Sequence, residues 1–349
     1  MLLWESPSTD PAYNLAMEEV FFTRKTEGMV FLWRNAPSVI VGVNQNTAAE
    51  VNAPFLAERG IPVVRRLTGG GAVYHDLGNI NFSFLQRCPE QPALGRWEAF
   101  TRPVRDYLCR LGVRAELQGR NDIAVDGRKI SGNAQAVRQG RILHHGTLLY
   151  QADTADIAQA LRVRRIKWEN KGIRSVSARV ANIADFLESP PPAQDFLAGL
   201  YVYFAAMDGV REYTPSAEEE QEARRLQREK YRAWEWNYGR SPACGFTVEQ
   251  AFPSGLVEAG LTLENGRIAR LRIRGDFFGL RPAAELERAL EGTPFAAEEL
   301  AARLDALHPE EYIHGVSARE FLALLLYQER DGAAEEEKGD TDEREREGY

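Results

Sequence analysis

Four stretches of the sequence gather residue types that can do chemistry. In Arg65-Arg66-Leu67-Thr68-Gly69-Gly70-Gly71-Ala72-Val73-Tyr74-His75-Asp76, three successive glycines strip every Cβ from a turn between apolar runs. Backbone N–H groups there can approach a bulky or anionic ligand, and the flanking arginines carry charge suited to phosphate. The spacing fits neither G-x-x-x-x-G-K-[ST] nor G-x-G-x-x-G, so P-loop and Rossmann readings fail, while a tight structural turn stays open. In Gly119-Arg120-Asn121-Asp122 and Lys129-Ile130-Ser131-Gly132-Asn133-Ala134, strict strand alternation sends Lys129 and Ser131 to one face and Arg128 and Ile130 to the other. A strand lysine can hold a fixed ammonium against an anionic reaction centre; the plainer possibility is a solvent-facing lysine. His144 and His145 are adjacent, so on a strand they face opposite ways and cannot share one metal, which favours packing or ligand contact. The fourth stretch, Lys167 to Val180, is dense in lysine and arginine and suits a nucleotide's phosphates, or a solvated linker.

These residues need elements to hold them. Asp10-Pro11 opens a helix whose apolar face is Leu15, Val20, Phe21 and Phe22. Short strands follow at Val30 to Trp33 and Val39 to Val43, then an alanine-rich helix from Thr47 to Glu58, and strands on both sides of the glycines. Trp97 to Leu111 reads as a helix. Asp126-Gly127 between Ile123 to Val125 and Arg128 to Asn133 predicts a hairpin with a type I′ turn, and Ile142 to Leu149 a further strand. Arg162 to Val180 reads as a long, mobile basic loop, followed by helices near Ile183 to Leu187 and Asp195 to Met207. A charged helix is expected from Ala217 to about Trp234. The domain boundary is placed at 240/241, beside Ser241-Pro242. Beyond it come a strand near Phe246, a hairpin turning at Asn265-Gly266 and helices near Ala283 to Leu290, Ala297 to Leu304 and Ser317 to Tyr327, a small α+β domain over 241–330.

The 349 residues, 44% hydrophobic and 27% charged, exclude a wholly disordered chain. A net charge of −8 argues against a general nucleic-acid binder. Nine acidic residues against three basic ones in 331–349 carry −6 of it, which reads as a solvated, disordered tail. No apolar run approaches the roughly 20 residues of a membrane span, and Glu5 interrupts any signal-peptide core, so a cytoplasmic location with no membrane partner is expected. Cys88, Cys109 and Cys244 have no short spacing; they are expected to be reduced thiols, with Cys109 packed inside its helix.

In this order the segments resemble the lipoate-protein ligase A family. The likeness runs through Pro11 to Phe22, Phe31 to Asn52 (with Leu32-Trp33-Arg34-Asn35 and Gln45-Asn46), Arg65 to Asn81, Gly119 to Ala134, His144 to Leu149, Lys171 to Ile183 and Trp234 to Pro242. It implies an α+β fold: a catalytic domain over 1–240 related to the biotin and lipoate ligase core, plus the small C-terminal domain. It implies activation of lipoate by ATP to lipoyl-AMP with release of pyrophosphate, then transfer to a lysine of an acceptor domain. Acceptors in the family are the lipoyl domains of 2-oxoacid dehydrogenase acyltransferase subunits and the glycine cleavage H protein.

Carried over by resemblance, Lys129 is the catalytic lysine that touches both ATP and lipoate. Arg66, Gly71, Ala72, Val73 and Tyr74 fall on nucleotide positions; Gly69, Gly70, His75 and His145 are assigned to lipoate; and Lys171, Gly172, Ser175 and Arg179 to a loop closing over the adenylate. A lysine between a carboxylate and the α-phosphate offsets the repulsion of two anions. Mg²⁺, held mainly by phosphates and water, accounts for a sequence without a metal motif. Val43 stands where some relatives carry a basic residue. An octanoyltransferase of the same fold needs a nucleophilic cysteine near the strand before Lys129, and none lies between Arg110 and Lys129. A catalytically silent acyl-binding protein would not need Arg66, the three glycines and Lys129 together, and a biotin ligase would not be expected to carry Lys171-Gly172-Ile173.

Overall fold

The computed structural model describes residues 1–45, 47–88, 94–161, 180–238, 246–264, 267–295 and 297–326. Of the basic loop expected from Arg162 to Val180, all but Val180 falls outside them, as do the Asn265-Gly266 turn, Cys244 and the acidic tail. The larger part is built on eight strands: β1 (Leu2–Glu5), β2 (Met29–Arg34), β6 (Asn79–Arg87), β7 (Glu116–Gln118), β8 (Asp122–Val125), β9 (Arg128–Arg138), β10 (Arg141–Leu149) and β11 (Arg211–Glu212). They form one sheet in the order β11-β1-β2-β6-β10-β9-β8-β7. The strands β3 (Ser38–Val41), β4 (Val63–Arg65) and β5 (Val73–His75) make a second sheet, ordered β4-β3-β5.

Each face of the large sheet is covered for a reason visible in its side chains. Helices Trp97–Arg110 and Ala193–Ala205 bring Phe100, Val104, Leu108, Phe196, Leu200 and Phe204 onto one face, against Phe82, Phe84 and Ile142. Helix Pro11–Arg24 packs Leu15, Met17, Phe21 and Phe22 on the other, against Phe31, Trp33 and Leu85 and beside the small sheet's Ile40 and Val64. That helix starts as expected: the Asp10 carboxylate accepts from the Ala12 and Tyr13 amides at 2.8 and 3.2 Å, and Pro11 occupies the first turn, where its missing N–H costs nothing.

The β8–β9 hairpin turns at Asp126 (φ 49°) and Gly127 (φ 73°), both left-handed as a type I′ turn requires. Its register is less regular. Ile123 pairs with Ser131 but Ala124 pairs with Lys129, which leaves Ile130 as an extra residue. This bulge overturns the strict alternation: Ile130 joins the helix-side core, and Ser131, fully buried, accepts from the Asn133 side-chain amide at 3.2 Å instead of sharing a face with Lys129.

Other expectations shift in detail. The segment from Thr47 splits into helices Thr47–Glu50 and Ala53–Arg59, and the charged helix runs only from Ala217 to Leu226 before a wider turn at Gln227–Tyr231 and a short helix, Trp234–Asn237. The C-terminal part is α+β as expected. Strands β12 (Phe246–Phe252), β13 (Gly255–Glu264) and β14 (Arg267–Gly275) form a meander, with helices Ala283–Leu290, Ala297–Leu307 and Ala318–Leu326. Among the described residues its core, from Val248 to Leu325, draws on none before β12. Gly255 (φ 133°) opens β13 where the chain turns back from β12.

Candidate active site

A cleft lies between the two sheets of the larger part. The large sheet contributes Trp33, Asn81, Thr147, His145, Gly132, Ala134 and Lys129; the small sheet and glycine loop contribute Ile40, Arg66, Gly70, Gly71, Ala72, Val73 and His75. The cleft is open to solvent on one side, and its mostly apolar walls with a few convergent polar groups suit a small acid and part of a nucleotide.

The glycine loop is held from within by Arg66. Its guanidinium donates to the carbonyls of Ile40 (3.1 Å), Gly69 (2.6 Å) and Gly71 (2.9 Å), and its Nε to the Thr68 hydroxyl at 2.9 Å. Burial pulls this guanidinium down to about 10, while Glu18 and Asp276 hold it up, so it stays charged at neutral pH. Arg65 does not serve phosphate. It is fully buried and engages the carbonyls of Gly42, Gln45, Trp236 and Asn237 together with the Thr47 hydroxyl, pinning β4 to its surroundings.

The three glycines divide their work. A Cβ on Gly69 would stand 2.1 Å from the Phe277 carbonyl oxygen, so this glycine makes room for the small domain and does not line the cleft. Gly70 (φ 89°) turns the loop beneath the Phe278 ring, and a Cβ on Gly71 would meet only the Asp276 carboxylate, at 4.0 Å. Phe278 also meets Trp97, centroids 5.3 Å apart, and the Arg120 guanidinium at 4.8 Å. Residues 276–278 thus form a wedge between the glycine loop and the Arg120 turn that leads into β8. Tyr74 turns its side chain away from the cleft to donate to Asp156 at 3.2 Å, and burial beside that carboxylate pushes its hydroxyl up.

Both cleft histidines are fixed by their second nitrogens. The Thr68 hydroxyl accepts from Arg66 and is hydrogen-bonded to His145 Nε2 at 2.8 Å; His145 Nδ1 is bonded to Glu18 Oε1 at 2.9 Å, which also accepts from Ser83 at 2.6 Å. At His75 the polarity starts from backbone: Asn14 Nδ2 donates to the Ser8 and Arg34 carbonyls and to Asn35 Oδ1, so Asn35 presents Nδ2 to His75 Nδ1 at 3.1 Å. His75 is therefore neutral with its proton on Nε2, and burial, helped by Arg66 and His145, holds it down to about 3. His144 faces the other side as expected, stacked on Phe100 and bonded to Gln135 and Asn133.

Lys129 closes the cleft on the hairpin side. Its Nζ lies 2.8 Å from Asp122 Oδ1, and the side chain passes over Gly132, where any Cβ would sit 2.9 Å from the ammonium. Gly132 is thus a site residue that alternation alone puts on the wrong face; Asn81, Trp33 and Thr147 are further cleft residues that no sequence motif marked. Lys171, Gly172, Ser175 and Arg179 lie outside the described residues. Cys88 is buried, whereas Cys109 is exposed, contrary to its expected packing, because it falls on the outward face of its helix; neither lines the cleft. Among the described residues no group of three histidines, cysteines or carboxylates could hold a metal ion, and no helix is long and apolar enough to cross a membrane.

Residues 10–205 match the model of the lipoyl protein ligase A/B catalytic domain, and 241–325 that of the bacterial lipoate protein ligase C-terminus. The chain is 40% identical over 321 residues to lipoate-protein ligase LplJ of Bacillus subtilis, covering 90% of this chain and 97% of that protein. It is 40% identical to lipoate–protein ligase 1 of Staphylococcus aureus, covering 91% and 97%. Among solved structures, a lipoate-protein ligase A bound with ATP superposes with a TM-score of 0.58 at 31% identity, covering 68% of this chain and 97% of that one. A bipartite lipoate protein ligase from Thermoplasma acidophilum, studied with its E2 lipoyl domain, gives 0.60 at 31% identity, covering 70% and 98%.

Proposed function

The chain belongs to the lipoate-protein ligase family, and we propose that the cleft between its two sheets is where lipoate is activated. The enzyme is an ATP-dependent ligase: a lipoate carboxylate oxygen attacks the α-phosphorus of ATP, pyrophosphate leaves, and the amine of an acceptor lysine then attacks the lipoyl carbonyl and expels AMP. The observation that carries the site assignment is the convergence of Lys129, the Arg66-clasped glycine loop and His145 on one cleft.

In this reading Lys129 holds the carboxylate and α-phosphate together and stabilises the charge that builds as they react. Arg66 acts mainly by fixing the carbonyls of Gly69 and Gly71, so that the backbone of Gly71, Ala72, Val73 and Tyr74 faces the nucleotide. Gly70, His75 and His145 contact lipoate, while Gly69 is reassigned to the small-domain contact. Lys171, Gly172, Ser175 and Arg179 belong to a loop that closes on the adenylate, and the catalytic and accessory domains divide at 240/241. The described side chains offer no metal cluster, so we assign no residue to Mg²⁺; it is read as entering with ATP, held by phosphate oxygens and water. Acceptors are lipoyl domains of 2-oxoacid dehydrogenase acyltransferase subunits and the glycine cleavage H protein, met in the cytoplasm.

The test is pyrophosphate release with ATP and lipoate, followed by the mass of an added lipoyl domain. Release that requires both substrates, and a mass gain that requires ATP, are expected; acyl transfer without ATP from an acyl carrier thioester would replace this reading with an octanoyltransferase.

A further inference from the structure

Two buried N–H groups in the cleft wall have no partner among the described residues. His75 is 2% exposed, and the polarity of the Asn14–Asn35 chain leaves its proton on Nε2, which meets no acceptor there. Asn81 is 1% exposed; its Oδ1 accepts from Asn79 Nδ2 at 3.0 Å, and its own Nδ2 is unpaired. Both residues line the cleft, amid Leu15, Trp33 and Ile40. The Trp33 and His75 rings meet edge to face at 6.0 Å, and Trp33 pairs with Asn81 across β2 and β6, so the donors share one end of the cleft. Glu18 Oε2 is also unpaired, but Glu18 lies outside the cleft wall.

The position of this end is set by the sheet. Asn81 pairs with Thr147 on β10, and the Thr147 hydroxyl accepts from the Gly132 amide at 3.2 Å, beneath Lys129. Two strand steps, roughly 10 Å, therefore separate Asn81 from the Lys129 row. That is about the reach of an extended pentanoate chain ending in a five-membered ring. A carboxylate at Lys129 brings such a ring to the two donors.

We propose that His75 Nε2–H and the Asn81 side-chain amide donate to the dithiolane sulfurs of lipoate and so make the enzyme prefer lipoate over octanoate. The inference rests on the ligase reading. The sulfurs are weak acceptors, but octanoate offers none, and an alkyl terminus leaves both donors buried and unpaired, the situation in which a site rejects an analogue lacking its hydrogen-bonding atom.

The experiment compares kcat/KM for lipoate and octanoate, read as pyrophosphate release, in the parent protein and in Asn81→Leu, with Asn81→Ala as the second variant should the first not fold. The parent is expected to favour lipoate by about tenfold or more. Asn81→Leu should shrink that ratio at least about fivefold, with octanoate use rising because a buried unpaired donor has gone. An equal fall for both acids, or a parent that does not distinguish them, would overturn the inference while leaving the ligase reading intact. A parent inactive with both acids would sink the ligase reading itself and the inference with it.

Discussion

The ammonium of Lys129 sits 2.8 Å from the carboxylate of Asp122 on the neighbouring strand, at the edge of the cleft where each side chain is about one-third exposed (37% and 34%). A lysine's flexible stem gives it many positions, and this carboxylate selects the one that overlies Gly132. Asp122→Asn should slow pyrophosphate release several-fold while changing stability by less than about 1 kcal/mol, since a partly exposed ion pair contributes little. Activity assays beside a thermal melt check this; an unchanged rate would remove Asp122 from Lys129's positioning.

A single hydroxyl joins the glycine loop to β10, because Thr68 accepts from Arg66 and is hydrogen-bonded to His145. Thr68→Val removes that link with little change of shape and should cost about 1–3 kcal/mol of stability by leaving buried polar atoms unpaired. Its adenylation rate should fall by about tenfold. Thr68→Ser keeps the hydroxyl and should stay near the parent in both respects; equal damage from the two substitutions would show that the methyl group matters and the link does not.

The loop glycines should tolerate change unequally. Gly69→Ala drives a methyl group to 2.1 Å from the Phe277 carbonyl, whereas Gly71→Ala meets nothing nearer than the Asp276 carboxylate at 4.0 Å. The first should lower the thermal midpoint by several degrees through strain at the inter-domain wedge, and the second should leave it nearly unmoved. Matching melts for the two variants would mean the wedge yields freely.

Neutral, buried histidines make stability pH-dependent. Burial holds His75 down to about 3 and His144 well below its ordinary value, so the unfolded chain takes up protons that the folded one refuses. Their stabilising contribution is complete above about pH 6.5 and is lost as pH falls from there toward 3. Thermal midpoints measured from pH 8 to 5 should fall below pH 6.5, and His144→Asn should flatten the fall. An equally steep profile in that variant would assign the dependence to other groups.

Much of the site was legible in the sequence because it depends on local chemistry. Asp126-Gly127 demands two left-handed residues, Asp10-Pro11 caps a helix, and the adjacency of His144 and His145 forces one toward each face. What escaped depends on partners distant in sequence. The bulge at Ile130 leaves no local mark, yet it decides that Gly132 and not Ser131 shares a face with Lys129. Arg65 and Arg66 are identical as letters, but the carbonyls around each give one to the scaffold and the other to the cleft. Gly69 answers to Phe277, more than two hundred residues away, which no spacing rule reaches.

The most direct test of the central claim is Lys129→Ala, assayed in the two half-reactions separately. Folding should survive, because the side chain is partly exposed and belongs to no hydrophobic cluster, and circular dichroism verifies it. Pyrophosphate release from ATP and lipoate should drop on the order of 10²-fold or more as the charge between the two anions is lost. Acceptor modification from preformed lipoyl-AMP should fall much less. A folded Lys129→Ala protein that forms lipoyl-AMP at the parent rate would contradict the assignment and leave Arg66 as the cation of the cleft.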